Sequence, residues 1–384
     1  MGFMNGRVSY TRFRVLGKNP LPFGPEHLER VEANAIGKRD CGDSTDGVSV
    51  GWAGGDHVLD VSFDLAKNVI DDALQLAVRV DGDKIPSDLL KAYEQMELQS
   101  RAALNPSGFA TKAQKVEAKE AAKIRAEAEA SDGRFRKRKH VPVLWDARTQ
   151  TLYAGTSSST IIERILPLFR ETFDCFLEPL NAGKLAREIA EANRLERSVD
   201  QLGPMQFFGD GNGSVAWSEN DPTSLDSLGN EFLVWLWHSI QADGDIIKLS
   251  DGTEATVMIA KTLTLDCPRG ENGRDNLTDD GPTRLPEAFR ALQSGKLPRK
   301  AGLLLERHGL AYELTLQAES FSVSGLALPR PEGLSGPELR VARVESLRHV
   351  VETLDLLYAA FILRRSGNDW TGELGRIRGW LTAA

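Results

Sequence analysis

A short run of basic side chains is the strongest chemical signal in the chain. Residues 134–140 read Arg-Phe-Arg-Lys-Arg-Lys-His and contain no acid, although the whole protein has a net charge of -8. A local cationic patch on an acidic protein is typical of a site for a polyanion such as nucleic acid. We therefore predict that phosphates are bound by Arg134, Arg136, Lys137, Arg138 and Lys139. The alternative is a solvated charged turn between a helix and a strand.

The segment before this run extends the positive charge. Residues 111–130 are rich in Ala, Lys and Glu and strongly favour a helix. Spacings of three and four residues place one set of lysines on a single face of that helix: Lys112, Lys115, Lys119 and Lys123. We predict that these lysines add to the DNA-binding surface. Taken alone, the face would be an ordinary solvated helix surface, because Glu117 and Glu120 interleave with it.

The composition is that of a soluble, mixed protein. The chain has 384 residues, of which 41% are hydrophobic and 27% charged, and this length predicts two or three domains. No apolar run approaches the ~20 residues that span a bilayer, so no membrane association is expected. The three cysteines are far apart and odd in number, which favours neither a disulfide framework nor a zinc site and fits a reducing cytoplasm.

Hydrophobic alternation and turn residues predict most of the elements that position the basic run. Strands are predicted at 8–16, 48–52, 58–63, 74–80, 141–146, 151–154 and within 246–265 and 301–328. A turn at 81–83 is expected to close the fourth of these strands. Helices are predicted at 26–35, 88–104, 111–130, 161–173, 180–197, 228–241, 285–294 and 338–365. Segments 204–223 and 267–283 are predicted to be polar loops.

Two of these helices carry distinctive apolar patterns. The last one has a heptad seam formed by Val344, Leu347, Val351, Leu354, Tyr358 and Phe361. The helix at 228–241 carries Phe232, Trp235 and Trp237, which we interpret as core rather than as a platform for stacking bases. We expect the seam to pack on this aromatic helix, and a contact with a second chain is the alternative.

The element order predicts an α+β fold with four regions. A mixed N-terminal α/β portion occupies 1–85, and a helical tip that carries the basic run occupies 86–140. Strands and helices of a central region occupy 141–203. A C-terminal base with an antiparallel sheet and the long terminal helix occupies 204–384.

Enzyme signatures are weak. The chain has no Gly-x-x-x-x-Gly-Lys-Ser/Thr phosphate loop. The pair Asp71-Asp72, or Asp43 with Asp46, could hold Mg²⁺ for phosphodiester cleavage, but no other ligand lies at metal spacing and surface acids are the simpler interpretation. We predict no catalytic residue, no metal and no cofactor. A metal-dependent nuclease that uses Asp71 and Asp72 is kept as the enzyme alternative.

The order of features resembles the bacterial recombination-associated RdgC family, ring-shaped dimers that bind duplex DNA. The resemblance covers about residues 8–180 and 285–330. It is carried by several short stretches: Val50-Gly51-Trp52, Ile85-Pro86-Ser87 before a long helix, 112–123, Arg134-Phe135, 141–155 with Asp146, 157–168, and Ala291-Leu-Gln-Ser-Gly-Lys296. The chain departs from the family in its aromatic helix, in its heptad helix, and in segment 267–284, where only Arg269, Arg274 and Arg284 stand amid four acids.

The resemblance implies a function that the residues alone do not specify. It implies a homodimer that binds double-stranded DNA without sequence preference, is associated with the nucleoid, and limits the access of a recombinase filament, an indirect partner. Phe135 occupies the position of a family phenylalanine at the contact between subunits, so it is the predicted dimer contact. The remaining alternative is a protein-interaction factor of a mobile element, whose heptad helix docks a partner and whose basic run is incidental.

Overall fold

The computed structural model describes residues 2–18, 22–38, 47–205, 207, 224–267, 273–282 and 286–383. It confirms the α+β class. The chain is divided into two compact units. Unit 1 consists of residues 1–26, 64–75 and 142–384, and unit 2 consists of 27–63 and 76–141. The ranges 141–203 and 204–384, which the sequence separates, thus fall almost entirely in one unit.

The described residues form thirteen strands and eleven helices. The strands are β1 (Val8–Leu16), β2 (Val48–Ala53), β3 (Val69–Ile70), β4 (Ala73–Asp83), β5 (Arg136–Asp146), β6 (Thr151–Ala154), β7 (Phe176–Pro179), β8 (Ile246–Lys248), β9 (Glu254–Asp266), β10 (Asp275–Pro282), β11 (Leu297–Arg307), β12 (Leu310–Gln317) and β13 (Val323–Ala327). The helices are α1 (Pro25–Ala33), α2 (Leu65–Asn68), α3 (Ser87–Ala103), α4 (Lys112–Ala130), α5 (Ser159–Phe173), α6 (Ala182–Asn193), α7 (Glu196–Asp200), α8 (Ser227–Ala242), α9 (Pro286–Gln293), α10 (Gly336–Arg365) and α11 (Trp370–Ala383).

An antiparallel sheet organises unit 1. Its strand order is β10, β9, β11, β12, β13, β1, β6 and the 142–146 half of β5, with β7 beside β1 and β8 beside β9. The predicted hairpin of β5 and β6 is confirmed, with Val143 opposite Ala154 and Asp146 opposite Thr151. On one side of β5, Trp145 packs edge to face against Phe169 and Phe173 of α5, at centroid distances of 5.1 Å. These contacts fix α5 on the sheet.

The heptad seam of α10 is buried inside its own chain. All six seam residues are buried. The ring of Phe232 on α8 lies 5.4 Å from that of Tyr358 and 5.8 Å from that of Phe361. Trp235 and Trp237 are buried as well, so the core interpretation of the aromatic helix is confirmed. Because the apolar stripe is already covered, this seam does not offer a docking surface to a partner.

Unit 2 contains a long helical hairpin beside a small sheet. Helices α3 and α4 pack together, and α4 buries an alanine ridge at a spacing of four residues: Ala118, Ala122, Ala126 and Ala130. A capping box between Thr111 and Gln114 starts α4. Within the sheet, β2 pairs with β4, and a Cβ on Gly51 would lie 2.5 Å from the backbone nitrogen of Ile36. Glycine is therefore needed where these segments meet.

Two predictions in unit 2, one of a strand and one of a turn, are wrong. Residues 58–63 form a loop, because the buried carboxylate of Asp60 accepts hydrogen bonds from the backbone N–H of Asp56 and from the N–H and hydroxyl of Ser62. Such local bonds compete with strand pairing. The predicted turn at 81–83 is a continuation of β4, since Asp81 lies opposite Ser49 and Gly82 opposite Val48.

Three predictions in unit 1 also need correction. The helix expected at 180–197 is divided into α6 and α7, because Asn181 caps the first and Arg194 ends it in the left-handed region at φ +59°. The loop expected at 267–283 contains β10, which pairs with β9 despite its polar sequence. Helix α11 follows the helix that the sequence predicts as the last.

Candidate nucleic-acid interface

Most of the basic run, residues 136–140, forms the first half of β5, and residues 134 and 135 lie in the turn before it. Residues 136–139 are exposed, and successive side chains along a strand point to opposite faces. On one face, Arg136 Nε lies 3.6 Å from Asp83 Oδ1, and Arg138 Nε lies 3.7 Å from Asp81 Oδ2. Both acids belong to β4, and Asp81 also forms a bidentate ion pair with Arg79, so the neighbouring strand neutralises the two arginines only in part.

The opposite face of the same strand carries Lys137 and Lys139. Among the described residues, no carboxylate lies within 4.0 Å of either ammonium group. Lysine is a compact charge on a flexible stem, and an unpaired one is available to a phosphate. Alternation along β5 thus separates two paired cations from two unpaired ones, although the sequence predicts one uniform basic run.

Arg134 is held in the turn between α4 and β5. Its guanidinium donates to Glu129 Oε1 and to Asp132 Oδ2, both at 2.6 Å. Hydrogen bonding to the Asp132 carboxylate raises the pKa of Arg134 above its usual value. Since both acids would have to be displaced or shared, this side chain is less available to a phosphate than the two lysines of β5.

Lysines on α4 are exposed, as the sequence predicts. Lys123 Nζ lies 3.6 Å from Glu127 one turn later. Within the part of the chain that the structure describes, Lys112, Lys115 and Lys119 have no carboxylate within 4.0 Å. The interleaved Glu117 is paired with Arg101 of α3, so its charge is partly neutralised by the partner helix.

Phe135 and the free end of the hairpin lie at opposite ends of α4. Phe135 is half-buried, and its carbonyl accepts a hydrogen bond from the Lys84 N–H at 3.2 Å. Helix α4 has 19 residues, so its two ends are about 28 Å apart. The connection to α3, at the far end, carries Leu104 and Phe109, which are 81% and 79% exposed. The sequence analysis names Phe135 as a dimer contact but does not name this apolar end.

The acids considered for metal binding are paired with arginines in unit 1. Arg348 donates to both oxygens of the buried Asp146, at 2.7 and 3.1 Å, and to Asp71 at 3.2 Å. Arg148 contacts Asp71 at 3.0 Å and Asp72 at 3.4 Å. Partial burial alone would raise the pKa of Asp71, but its hydrogen bonds with Arg348 and the Asp72 backbone, together with the charges of Arg348 and Arg148, lower that pKa below its usual value. Among the described residues, no cluster of three or more potential ligands could hold a metal ion.

Several other predicted features have paired charges or lie outside the described residues. Lys296 forms an ion pair with Asp275 at 2.6 Å, and Arg274 forms one with Asp266 at 3.0 Å. Neither therefore adds an unpaired cation to a DNA surface. Some residues of the sequence analysis lie outside the described part of the chain: Cys41, Asp43, Asp46, Arg269, Arg284 and stretch 209–213 of the predicted loop 204–223. No described helix is long and apolar enough to cross a bilayer.

Comparisons with known proteins do not extend the sequence resemblance. A scan against models of protein families gives no match to the chain, and a search of curated proteins gives none either.

Proposed function

We propose that the protein binds double-stranded DNA through the exposed cations of unit 2. The observation that carries the proposal is the pair Lys137 and Lys139, two unpaired ammonium groups on one face of an exposed strand. Lysines that neutralise phosphates release condensed counterions, and this release is the main source of non-specific affinity. The exposed lysines of α4 in the same unit support the same chemistry.

Binding is proposed to be independent of base sequence. Direct readout of guanine needs an arginine whose donors are free to reach both acceptors of the base. The three arginines of the basic run are all close to carboxylates: Arg134 to Glu129 and Asp132, Arg136 to Asp83, and Arg138 to Asp81. The unpaired groups are lysines, which bind phosphates as point charges.

The resemblance to the RdgC family extends this proposal to a ring-like homodimer that limits the access of recombinase to DNA. In such a ring the cations would line the hole, which reconciles DNA binding with a net charge of -8. Phe135 remains the predicted dimer contact. The exposed side chains of Leu104 and Phe109 support a further contact at the free end of the hairpin, because exposed apolar groups favour association.

A gel-shift experiment in a salt series tests the proposal. Unrelated duplexes of equal length should bind with equal affinity, and the affinity should fall steeply as salt rises. Light scattering of the same sample should give the mass of a dimer. The same preparation with Mg²⁺ and plasmid should leave the plasmid intact, whereas cleavage would favour the nuclease alternative. Retention of a protein partner in high salt without any DNA binding would favour the interaction factor.

A further inference from the structure

A second candidate site is a cavity inside unit 1. It has a volume of about 820 Å³ and lies among β1, β6, α6 and α10. This volume is within the range of small-molecule sites in proteins. The cavity lies wholly within unit 1, and the proposed DNA-binding lysines lie in unit 2. It therefore needs an explanation of its own.

In the ion pairs of Arg12 and Arg307, the carboxylates are more exposed than the arginines. Arg12 is 3% exposed, whereas its partner Asp355 is 39% exposed. Arg307 is 5% exposed, whereas its partners Asp251 and Glu352 are 34% and 62% exposed. Arg12 and Arg307 are thus largely buried, whereas the carboxylates that pair with them remain accessible.

Arg12 and Arg14, which line the cavity, are each paired with a carboxylate. Arg12 donates to both oxygens of Asp355, at 2.8 and 2.7 Å. Burial alone would lower the pKa of Arg12, but the Asp355 carboxylate outweighs burial and raises it well above its usual value. Arg14 donates to both oxygens of Glu188, at 3.3 and 2.6 Å. A carboxylate has about four acceptor positions, so each keeps acceptor capacity after its bonds to arginine.

The rest of the wall combines aliphatic surface with an unsatisfied nitrogen. Leu185 and Ile189 of α6 and Leu356 of α10 line the cavity. His349 also lines it: its Nδ1 lies 2.9 Å from the Tyr312 hydroxyl, and its buried Nε2 has no hydrogen-bond partner among the described residues. In the tautomer that carries the proton on Nδ1, Nε2 is an acceptor, and buried acceptors are normally satisfied.

We propose that this cavity binds a linear aliphatic polyamine. Ammonium groups would meet the accessible carboxylates, and the methylene segments would pack on the leucine and isoleucine side chains. Glu352 and Asp355 lie about one turn apart on α10, a rise of ~5 Å, which the short alkyl spacers between the nitrogens of a polyamine can match. An anion is disfavoured, because five carboxylates and four arginines line the cavity and each of those arginines is already paired with a carboxylate.

Isothermal titration calorimetry of the full-length protein without DNA, with spermidine as the probe, tests this site. Octanediol is the neutral chain control, and Mg²⁺ at equal ionic strength is the control for charge alone. Glu352→Gln and Glu345→Gln remove carboxylates that line the cavity and are partly exposed. Glu338→Gln, an exposed acid on the same helix outside the cavity, is the matched control. Asp355→Asn is less suitable, because it leaves the buried Arg12 without its carboxylate.

Spermidine should bind saturably at one site per chain. Each cavity variant should weaken binding by about three- to tenfold, the loss of one charge-assisted hydrogen bond at a partly exposed site. The Glu338→Gln protein should bind like the unmodified one, and octanediol and Mg²⁺ should not occupy the site. The proposal is overturned if spermidine gives no saturable heat, if Mg²⁺ displaces it at equal ionic strength, or if the cavity variants and the control behave alike.

Discussion

The sharpest prediction separates the two faces of β5. In the Lys137→Ala/Lys139→Ala protein, two cations without a carboxylate partner are removed from one face. In the Arg136→Ala/Arg138→Ala protein, the same amount of charge is removed from the other face, but those guanidinium groups lie near Asp83 and Asp81. The two variants change the net charge equally, so each serves as the control for the other.

The expected magnitude follows from counterion release. Each lysine that neutralises one phosphate contributes about 0.9 to the slope of log affinity against log salt, so the double lysine variant should lose about 1.8. Between 50 and 200 mM salt, those two contacts account for a change of roughly tenfold in affinity. The arginine variant should lose clearly less of this slope, because each guanidinium group that it removes lies near a carboxylate in the unmodified protein.

Fluorescence anisotropy with a labelled duplex measures both slopes, and circular dichroism verifies that the variants fold. Stability should change little, because exposed charges contribute at most about 1 kcal/mol each. The reasoning is refuted if the lysine variant keeps the slope of the unmodified protein. It is also refuted if the arginine variant loses as much as the lysine variant, since the alternation of paired and unpaired cations would then have no effect.

Three further predictions concern assembly, stability and pH. Phe109→Ser should shift the mass measured by light scattering towards the monomer if the exposed end of the hairpin contacts a second chain, and an unchanged dimer mass would contradict that contact. Asp146→Ala should lower the free energy of unfolding by about 1.5–3 kcal/mol, because its hydrogen bonds with Arg348 are lost and Arg348 keeps only Asp71 and Glu345. Arg148→Ala should cost at most about 1 kcal/mol, and equal effects in urea denaturation would contradict this. Burial lowers the pKa of His238, so the folded protein binds fewer protons than the unfolded chain just below about pH 6.5. Stability should therefore fall as the pH drops through that window, and His238→Gln should lose less stability than the unmodified protein between about pH 7.5 and 5.5.

Local sequence patterns predict those helices and strands whose formation depends on residues close together in the chain. The alternation of β1, the Ala/Lys/Glu composition of α4 and the heptad of α10 all depend on neighbours within a few residues, and each element is present. The packing of the seam on Phe232 followed because both helices expose apolar stripes that must be buried. The charge density of the basic run is also readable from composition, and its residues 136–139 are exposed.

Features that depend on distant residues were not predictable. The pairing of Arg136 and Arg138 requires that β4 continue through Asp81 and Asp83, and the sequence there has the composition of a turn. Asp60 converts an apparently alternating segment into a loop through its buried carboxylate, and nothing in the local pattern signals that burial. The cavity proposed to bind a polyamine is lined by Arg12 and Asp355, which are far apart in the sequence, so no motif marks it.

The most direct test of the central claim is the salt dependence of duplex binding by the unmodified protein. Five of the six lysines predicted to bind DNA lack a carboxylate partner among the described residues: Lys112, Lys115, Lys119, Lys137 and Lys139. If each meets one phosphate, the slope of log affinity against log salt should be about -4.5 for one chain and about -9 for a dimer, with the same value for unrelated duplexes. A slope near zero, or tight binding confined to a single sequence, would contradict DNA binding through these cations.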